Sequence, residues 1–250
     1  TNTTTTFVNG ISSPIQTVTF ATNWMQVACG YDHTAAVKAD GSLWCWGGNA
    51  HGQLGDNTIV KKSSPVQTVS GGSNWKFVAC GNYLTAAVKT DGTLWTWGRN
   101  DYGILGINDT NNRATPVTTF AGGTNWKQVS VGVSSSAIKT DGTLWGWGWG
   151  FYGTLGLGDT TDRSSPVQVG SLTTWLSSTA GTFFALTTKN DGTLWAWGNN
   201  TNGIYGNNSV SSTIPVQIGT ATNWKSIVSL WSSVAAIKTD GTLWTWGYNT

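Results

Sequence analysis

Residues 141–148 read Asp-Gly-Thr-Leu-Trp-Gly-Trp-Gly, and this stretch decides the fold because the chain repeats it. The pattern Asp-Gly-Thr-Leu-Trp-x-Trp-Gly occurs five times, with Ser42 replacing Thr in the first copy. The spacings between copies are 51, 50, 50 and 49 residues, because the copies begin at Asp40, Asp91, Asp141, Asp191 and Asp240. A period of roughly 20–50 residues is typical of solenoids, propellers and repeat arrays. Most recurring residues are therefore expected to serve the packing of each unit.

Each unit contains four short segments with the character of β-strands. The first follows Ser-Ser-Pro or a variant and contains the five prolines of the chain, which are Pro14, Pro65, Pro116, Pro166 and Pro215. Proline cannot donate a ladder hydrogen bond, so this segment is predicted to be an edge strand. The second segment is Asn-Trp-Lys-x-Val, as in residues 125–129, and the third is a run of small residues such as 85–89. The fourth is Leu-Trp-x-Trp.

The fourth segment follows a hairpin signal and has two different faces. Asp-Gly before it predicts a tight hairpin with the third segment. Because side chains alternate along a strand, both tryptophans share one face, and Leu and x share the other. Position x is always small, being Cys45, Thr96, Gly146, Ala196 or Thr245. A strand with one bulky face and one face of small residues can pack closely against a neighbouring sheet, which favours stacked blades. No segment of the chain has a helical period.

The sequence therefore predicts an all-β fold, a β-propeller of about five four-stranded blades that residues 1–250 form as one domain. The repeat units are about 1–50, 51–101, 102–151, 152–201 and 202–250. The last unit has no Pro-Val-Gln segment after its Trp-x-Trp strand, whereas residues 14–18 supply an extra one. We expect residues 14–18 to close the ring as the outer strand of the blade that contains Trp244. The alternative is that the five units belong to a longer ring.

Composition excludes several classes of function. Only 10% of residues are charged, against roughly 25% in an average soluble domain. The net charge of +2 gives no strong field for nucleic acid or anionic lipid. Fifteen of the 17 tryptophans follow the repeat, and Trp149 and Trp231 do not. The chain has no run of apolar residues long enough for a transmembrane helix and no signal peptide pattern. We expect that residue 1 is not the start of the gene product, or that the start was removed.

The cysteines and titratable residues predict no catalytic or metal site. Three cysteines without metal spacing argue against a disulfide framework or zinc site, and Cys29 and Cys80 are expected to be small buried residues. His33 lies in a core-like segment and is expected to be structural, whereas His51 is expected to be solvated.

The charged residues of the turns and loops have structural explanations. The five repeated aspartates are explained by hydrogen bonds from the turn backbone to their own side chains. Asp159 and Asp162 could contact a cation, but a capped loop is favoured. The lysines before the Asp-Gly turns are Lys38, Lys89, Lys139, Lys189 and Lys238. They are expected to be solvated, and the alternative is a ring of charges that binds phosphate or sugar acids. No cofactor and no enzymatic activity are predicted.

The connections after Trp-Gly are the most variable part of the unit. If the blades are equivalent, all of these loops emerge on one face, which is the default binding surface of a repeat protein. Their aromatic residues are the candidate ligand-binding residues, together with Trp231: Tyr102, Trp149, Phe151, Tyr152 and Tyr205. The alternative is that Trp149 and Tyr152 pack the loops onto the blade.

Residues 27–41, Val-Ala-Cys-Gly-Tyr-Asp-His-Thr-Ala-Ala-Val-Lys-Ala-Asp-Gly, followed by Leu-Trp-Cys-Trp-Gly at 43–47, resemble the RCC1-like repeat (regulator of chromosome condensation type). The resemblance covers essentially the whole chain and implies a propeller of four-stranded blades, usually seven. The Trp-rich and Thr/Asn-rich pattern looks most like bacterial and bacteriophage members. The family's Gly-x-x-His signature is present only at Gly30 and His33. The other units have Leu84, Ser134 or Ser135, Phe184 and Ser233 in its place, which indicates a change in packing.

We therefore predict a non-enzymatic binding or structural propeller, displayed outside a cell or on a phage particle as a tail or fibre component. It would recognise a protein or glycan on a host, virion or cell surface through the loops, without nucleic acid or membrane insertion. The alternative is an intracellular protein-interaction scaffold. Guanine-nucleotide exchange on a small GTPase, implied by the family's chromatin-bound member, is disfavoured because the units are too uniform in length to contain an inserted wedge.

Overall fold

The computed structural model describes residues 23–70, 72–201, 203–206 and 210–248. Within these ranges the strands form five antiparallel sheets, which we call blades 1 to 5. The strands of blades 1 and 2 are β1 (Trp24–Cys29), β2 (His33–Lys38), β3 (Leu43–Gly47), β4 (Lys62–Gln67), β5 (Trp75–Cys80), β6 (Leu84–Lys89), β7 (Leu94–Gly98) and β8 (Arg113–Thr118). Those of blades 3 and 4 are β9 (Trp126–Val131), β10 (Ser134–Lys139), β11 (Leu144–Gly148), β12 (Arg163–Gln168), β13 (Trp175–Ala180), β14 (Phe184–Lys189), β15 (Leu194–Gly198) and β16 (Ser212–Gln217). Blade 5 contains β17 (Trp224–Leu230), β18 (Ser233–Lys238) and β19 (Leu243–Gly247).

The strands of each blade pair in chain order, and the first strands of successive blades contact one another. The predicted all-β propeller of five blades is thus confirmed. The proline-containing strands β4, β8, β12 and β16 are edge strands, as predicted. The predicted closing strand, residues 14–18, lies outside the described residues. The described helical structure is limited to two 3-10 turns, Asp101–Gly103 and Phe151–Gly153, and no described helix could span a membrane.

The Trp-x-Trp strand has the two faces that its sequence predicts. The ring of Trp126, from the first strand of blade 3, lies 5.8 Å from that of Trp145 and 6.4 Å from that of Trp147. On the opposite face the small residue is fully buried at Cys45, Thr96 and Ala196. At Gly146 an added Cβ would lie only 2.6 Å from the carbonyl oxygen of Leu155.

Each Asp-Gly hairpin is held by one relay of hydrogen bonds. Asp141 Oδ1 accepts bonds from the backbone N–H of Thr143 at 2.9 Å and from its hydroxyl at 2.7 Å. The same hydroxyl accepts a bond from Trp145 Nε1 at 2.9 Å. The relay recurs in all five blades. The bonds from the Thr143 hydroxyl and backbone hold the pKa of Asp141 below its ordinary value, which confirms the structural role of these aspartates.

The lysines before the turns are not merely solvated, which corrects the sequence-based expectation. Lys139 Nζ lies 4.7 Å from the ring centroid of Trp126 and 4.3 Å from that of Trp145. The other four lysines lie over two tryptophans in the same way. The negative face of an indole attracts the ammonium group and explains this placement. Lys189 is buried, and desolvation lowers its pKa.

His33 is a structural residue, as expected. Its Nε2 lies 3.0 Å from the hydroxyl of Thr85, which itself donates to the carbonyl of Gln53 at 2.8 Å. His33 must therefore donate the first bond, which leaves its Nδ1 unprotonated and without a hydrogen-bond partner. Burial lowers its pKa from 6.5 to about 4. Gly30 faces the imidazole so closely that an added Cβ would lie 2.4 Å from it.

Four junctions join successive blades, and within the described residues no neighbouring blade covers the outer faces of blades 1 and 5. At the first junction Leu43 is buried in one core cluster with Trp75 and Val78. At the ends, Leu243 is 67% exposed although Leu43 is fully buried, and Val27 is 62% exposed although Val78 is 1% exposed. Cys29 lies on the same uncovered strand and is exposed, so the expectation that it is buried is wrong, whereas Cys80 is half-buried.

Candidate binding surface on the loop face

The connections after Trp-Gly emerge at the same end of each blade as the turns between the first two strands. We call this end the loop face; it contains turns 30–32, 81–83, 132–133, 181–183 and 231–232 and the described parts of loops 48–61, 99–112, 149–162 and 199–211. Loop and turn are bonded within a blade, as by Arg99 N–H to the Tyr83 carbonyl at 2.9 Å. Turns of successive blades are also bonded, as by Thr182 N–H to the Trp231 carbonyl at 3.3 Å.

A buried asparagine holds each of two loops from within. Asn100 Oδ1 accepts the N–H of Leu105 at 2.8 Å, and Asn100 Nδ2 donates to the carbonyl of Asp109 at 2.9 Å. Asn49 does the same with Leu54 and Thr58. The loop backbone is therefore fixed by bonds that do not involve the residues at its tip.

Two tyrosines at loop tips have an uncommon backbone conformation. Tyr102 has a φ of 61° and Tyr152 a φ of 63°, in the left-handed region that bulky residues rarely adopt. Each precedes a glycine pressed against a neighbouring blade: an added Cβ on Gly103 would lie 2.4 Å from the Cα of Ser164. Such conformations persist only where the surroundings determine them, and they are frequent at ligand-binding sites.

Five aromatic residues form one contiguous group, which we call the aromatic cluster: Tyr102, Trp149, Phe151, Tyr152 and Phe183. The ring of Trp149 contacts the other four at 5.5–6.3 Å between centroids. Trp149 and Phe151 are stacked at an interplanar angle of 25°. Except for the half-buried Trp149, all of these side chains are exposed. Four sequence-predicted residues are thereby brought together.

A second aromatic group lies on blades 1 and 2. The ring of Tyr83 contacts Tyr31 at 5.5 Å and His51 at 5.1 Å, and the guanidinium of Arg99 lies 5.7 Å from its centroid. His51 is therefore half-buried against an aromatic ring rather than freely solvated.

A cavity of about 240 Å³ separates the two groups. Its lining includes Tyr83 and Arg99 from blade 2, Trp149 from blade 3 and Phe183 from blade 4. The turn 132–133 also lines it and has two residues where the turns of the neighbouring blades have three. The turn 132–133 has no residue at the position of Asn82, and its shorter backbone leaves space between the aromatic side chains of the neighbouring blades.

Charged groups beside the cluster are paired within their own loops. Arg99 Nε donates to Asp101 Oδ2 at 2.6 Å. At the ends of the loops, Nη2 of Arg113 donates to Asp109 Oδ2 and Nη2 of Arg163 donates to Asp159 Oδ2. Asp162 Oδ1 accepts the N–H of Gly150 at 2.8 Å, so the favoured interpretation of this loop as capped is confirmed. No group of His, Cys, Asp or Glu among the described residues could hold a metal ion.

Two predicted site residues are not part of the aromatic cluster. Tyr205 is fully buried, because it occupies the core position that leucine fills in the loops of blades 1 to 3. Its hydroxyl donates to the Gly198 carbonyl at 2.7 Å, and burial raises its pKa to about 12. The prediction that Tyr205 is an exposed loop aromatic is therefore wrong. Trp231 is exposed, has a φ of 54°, and lines a separate cavity of about 400 Å³ between the first strands and turns of the five blades.

Sequence reasoning missed Tyr31, Tyr83, Arg99 and Phe183. Tyr83 and Phe183 lie in short turns, whereas the candidate residues were predicted mainly from the variable loops. The register of the hairpins could have predicted their position. In each described blade, the last turn residue before the second strand accepts, at its carbonyl, a hydrogen bond from the N–H of the residue after Trp-Gly.

The comparisons with known proteins agree with this architecture. The family model described as "Regulator of chromosome condensation (RCC1) repeat" matches residues 40–88, 91–138 and 141–187. A second model with the same description matches residues 26–53 and 75–104.

Two curated proteins illustrate the range of relatives. The chain is 39% identical over 94 residues to the human "Probable E3 ubiquitin-protein ligase HERC4", a match that covers 37% of this chain and 9% of that protein. It is 38% identical over 113 residues to the "Ultraviolet-B receptor UVR8" of Arabidopsis thaliana, covering 43% of this chain and 25% of that protein. The matches thus span only a small part of these relatives.

Solved structures show the same fold over most of the chain. Human WBSCR16 has a TM-score of 0.78 at 25% identity, covering 90% of this chain and 61% of that one. Yeast RCC1 (Prp20), solved with Kap60, has a TM-score of 0.77 at 20% identity, covering 90% and 56%. With the repeat models matching more than half of its residues, this chain belongs to the family of regulator of chromosome condensation (RCC1) repeat proteins.

Proposed function

We propose that this chain is a non-enzymatic binding propeller that recognises a partner protein through the aromatic cluster and the cavity beside it. The observation that carries the proposal is a group of exposed aromatic rings held in fixed positions around a cavity of about 240 Å³. Large aromatic side chains next to a pocket are the commonest anchors of protein interfaces. Contiguous exposed apolar surface on a folded domain is itself a mark of an interaction site.

The surrounding structure supports a preformed site. The buried asparagines fix the loops before any partner binds, which reduces the entropy lost on association. The ion pairs at the rim neutralise one another, so the cavity favours an uncharged apolar or aromatic side chain of the partner.

Glycan recognition is the second candidate. The ring of Phe151 is stacked on Trp149 and is half exposed, and Asp101, which lines the cavity with Trp149, has carboxylate oxygens that accept hydrogen bonds. Sugar rings present apolar faces that pack on such platforms.

The test compares the wild type with Trp149→Ala and Phe183→Ala, with Phe120→Ala as a matched control. Phe120 is an exposed aromatic residue that follows β8, at the end of the blade opposite the loop face. Each protein is first checked by circular dichroism, then used for capture with mass spectrometry and on a glycan array.

We expect one partner that the wild type and Phe120→Ala retain and that both cluster variants bind at least about tenfold more weakly. Glycan binding with the same dependence would support the second candidate. A partner retained equally by all variants, or the absence of any protein or glycan ligand, would overturn the proposal.

We further propose that the chain acts outside a cell or on a phage particle. The support is compositional: few charged residues and a surface rich in Thr, Asn and Gly. Fractionation of purified particles and culture medium, followed by immunodetection, tests this location. Detection only in the cytoplasm would favour the intracellular scaffold.

A further inference from the structure

The cavity beside the aromatic cluster is lined by buried aliphatic side chains and by aromatic rings. Leu84 and Ile104 line it and are almost fully buried. Tyr83 from blade 2 and Phe183 from blade 4 are among the rings that line it. Its volume of about 240 Å³ is below the roughly 300–1,000 Å³ of pockets that hold small molecules. The cavity therefore admits only a short apolar part of a partner.

Two common modes of peptide recognition do not fit this cavity. Addition of a strand requires an unpaired strand edge. Of the described residues that line the cavity, only Leu84 lies in a strand, and that strand, β6, is paired on both sides with β5 and β7. A bound helix is roughly 10–12 Å across and needs a groove that follows its anchors over two turns. A cavity of this volume is too small for such a helix face.

Recognition of a phosphorylated or acidic segment is also disfavoured, because it requires a cluster of arginine side chains. Arg99 is the one cation among the described residues that line the cavity, and its guanidinium already pairs with Asp101. The mode that remains is a segment of compact apolar residues in polyproline II conformation, since such segments bind surfaces lined by aromatic rings.

Free hydrogen-bond donors beside the rings suit the backbone of such a segment. A polyproline II helix has no internal hydrogen bonds, so its carbonyl oxygens are open to donors. The indole N–H of Trp149 donates to no atom of the described residues, whereas the indoles of Trp97 and Trp147 donate to loop carbonyls. The phenol groups of Tyr83 and Tyr102 are likewise without a partner in the described part of the chain.

A carboxylate next to the aromatic cluster can receive a cation that flanks the prolines. Asp162 is exposed, and its Oδ1 accepts the N–H of Gly150. Gly150 lies between Trp149 and Phe151 in the chain. The other carboxylates of the variable loops pair with arginine or lysine, whereas no lysine or arginine among the described residues pairs with Asp162. Charge complementarity therefore favours a basic residue beside the prolines.

We propose that the segment recognised by the aromatic cluster is proline-rich, adopts the polyproline II conformation, and carries a lysine or arginine that pairs with Asp162. This inference rests on the proposed function, because it names the chemistry of the partner at the same site. One face of such a helix repeats every third residue, so one proline enters the cavity and the next packs on a flanking ring. The segment and the loops are both ordered before binding, which limits the entropy lost.

The experiment titrates each protein with three fluorescent peptides and follows their anisotropy. The first contains two Pro-x-x-Pro turns followed by arginine, the second has glutamine for the arginine, and the third has alanine for the prolines. We expect the wild type to bind the alanine peptide at least about tenfold more weakly than the first peptide. Trp149→Ala and Phe183→Ala should each weaken binding of the first peptide at least about tenfold, whereas Phe120→Ala should bind as the wild type. Circular dichroism checks that each variant is folded.

Asp162→Asn gives the sharpest test, because asparagine keeps an oxygen that accepts the Gly150 N–H and removes the charge. It should lower the affinity for the arginine peptide about two- to fivefold and leave that for the glutamine peptide unchanged. An equal effect on both peptides would overturn the pairing with Asp162.

The outcomes separate this inference from the function on which it rests. If the wild type binds none of the proline peptides, but captures a partner that Trp149→Ala loses, the proline-rich segment is wrong and the binding site stands. If neither the peptides nor any captured partner depends on Trp149 and Phe183, both proposals are overturned. Equal binding of the proline and alanine peptides would also overturn this inference.

Discussion

Lys139 contributes to stability through two aromatic faces rather than through an ion pair. Its ammonium lies between Trp126 of the first strand and Trp145 of the third strand of blade 3. A cation–π contact contributes about 0.5–1 kcal/mol at exposed sites and about 2 kcal/mol when desolvated.

Lys139→Met keeps most of the aliphatic chain and removes the charge. We expect it to lower the free energy of unfolding by about 1 kcal/mol, measured by urea denaturation followed by circular dichroism. Lys127→Met is the control, because Lys127 is exposed on the neighbouring strand. Equal effects of the two substitutions would contradict this assignment.

His33 makes the fold sensitive to mild acid. Its pKa is about 4 in the folded chain against 6.5 ordinarily, so the unfolded state binds the proton more readily between these values. Stability should therefore fall as the pH is lowered from 6.5 to 4, by up to about 3 kcal/mol.

His33→Leu should remove this pH dependence. Leucine occupies the equivalent position in blade 2, where Leu84 is buried. Unfolding curves of both proteins across this pH range provide the measurement, and an unchanged slope in the variant would assign the sensitivity to another group.

At the scale of the element, the hairpin relay links a turn to the strand that follows it. The Thr143 hydroxyl donates to Asp141 and accepts from Trp145, so one side chain fixes both the turn and the indole. Because these bonds lower the pKa of Asp141, its contribution to stability is present above the unfolded value of about 3.9 and is lost as the pH falls through the folded value.

Thr143→Val keeps the shape and removes the hydroxyl. We expect the free energy of unfolding to fall by about 1–2 kcal/mol and the pKa of Asp141 to rise, as followed by NMR titration. Thr140→Val at a nearby exposed position should change neither quantity. An unaltered pKa in Thr143→Val would show that the hydroxyl does not stabilise the carboxylate.

At the scale of the whole molecule, stability should be uneven along the chain. In the part of the chain that the structure describes, blades 2 to 4 are covered on both faces, whereas blades 1 and 5 are each covered on one. In a repeat architecture each unit depends on its neighbours, so the end blades should open first.

Hydrogen exchange can measure this gradient. The amides of β10 and β11 should exchange more slowly than those of β1, β18 and β19. Uniform protection would contradict the gradient.

The architecture could be predicted because its signals lie in adjacent residues. Features that depend on residues distant in the sequence but close in the fold could not be predicted. Asp-Gly turns and the alternation in Trp-x-Trp depend on adjacent residues, so hairpins and faces could be derived. The placement of Lys139 depends on a tryptophan from another strand, and the exposure of Cys29 depends on its place in the first described blade rather than on its own sequence context. Tyr205 could have been assigned to the core, because it replaces the leucine of the Gly-x-Leu-Gly motif.

The asparagine bonds inside the loops have a practical consequence for protein engineering. Because Asn49 and Asn100 hold their loops from the interior, the tip residues 50–51 and 101–102 can be randomised while the backbone path is retained. Excluding β-branched residues at 102 and 152 respects the positive φ there. Libraries built on these tips would turn the propeller into a scaffold for selecting new recognition specificities.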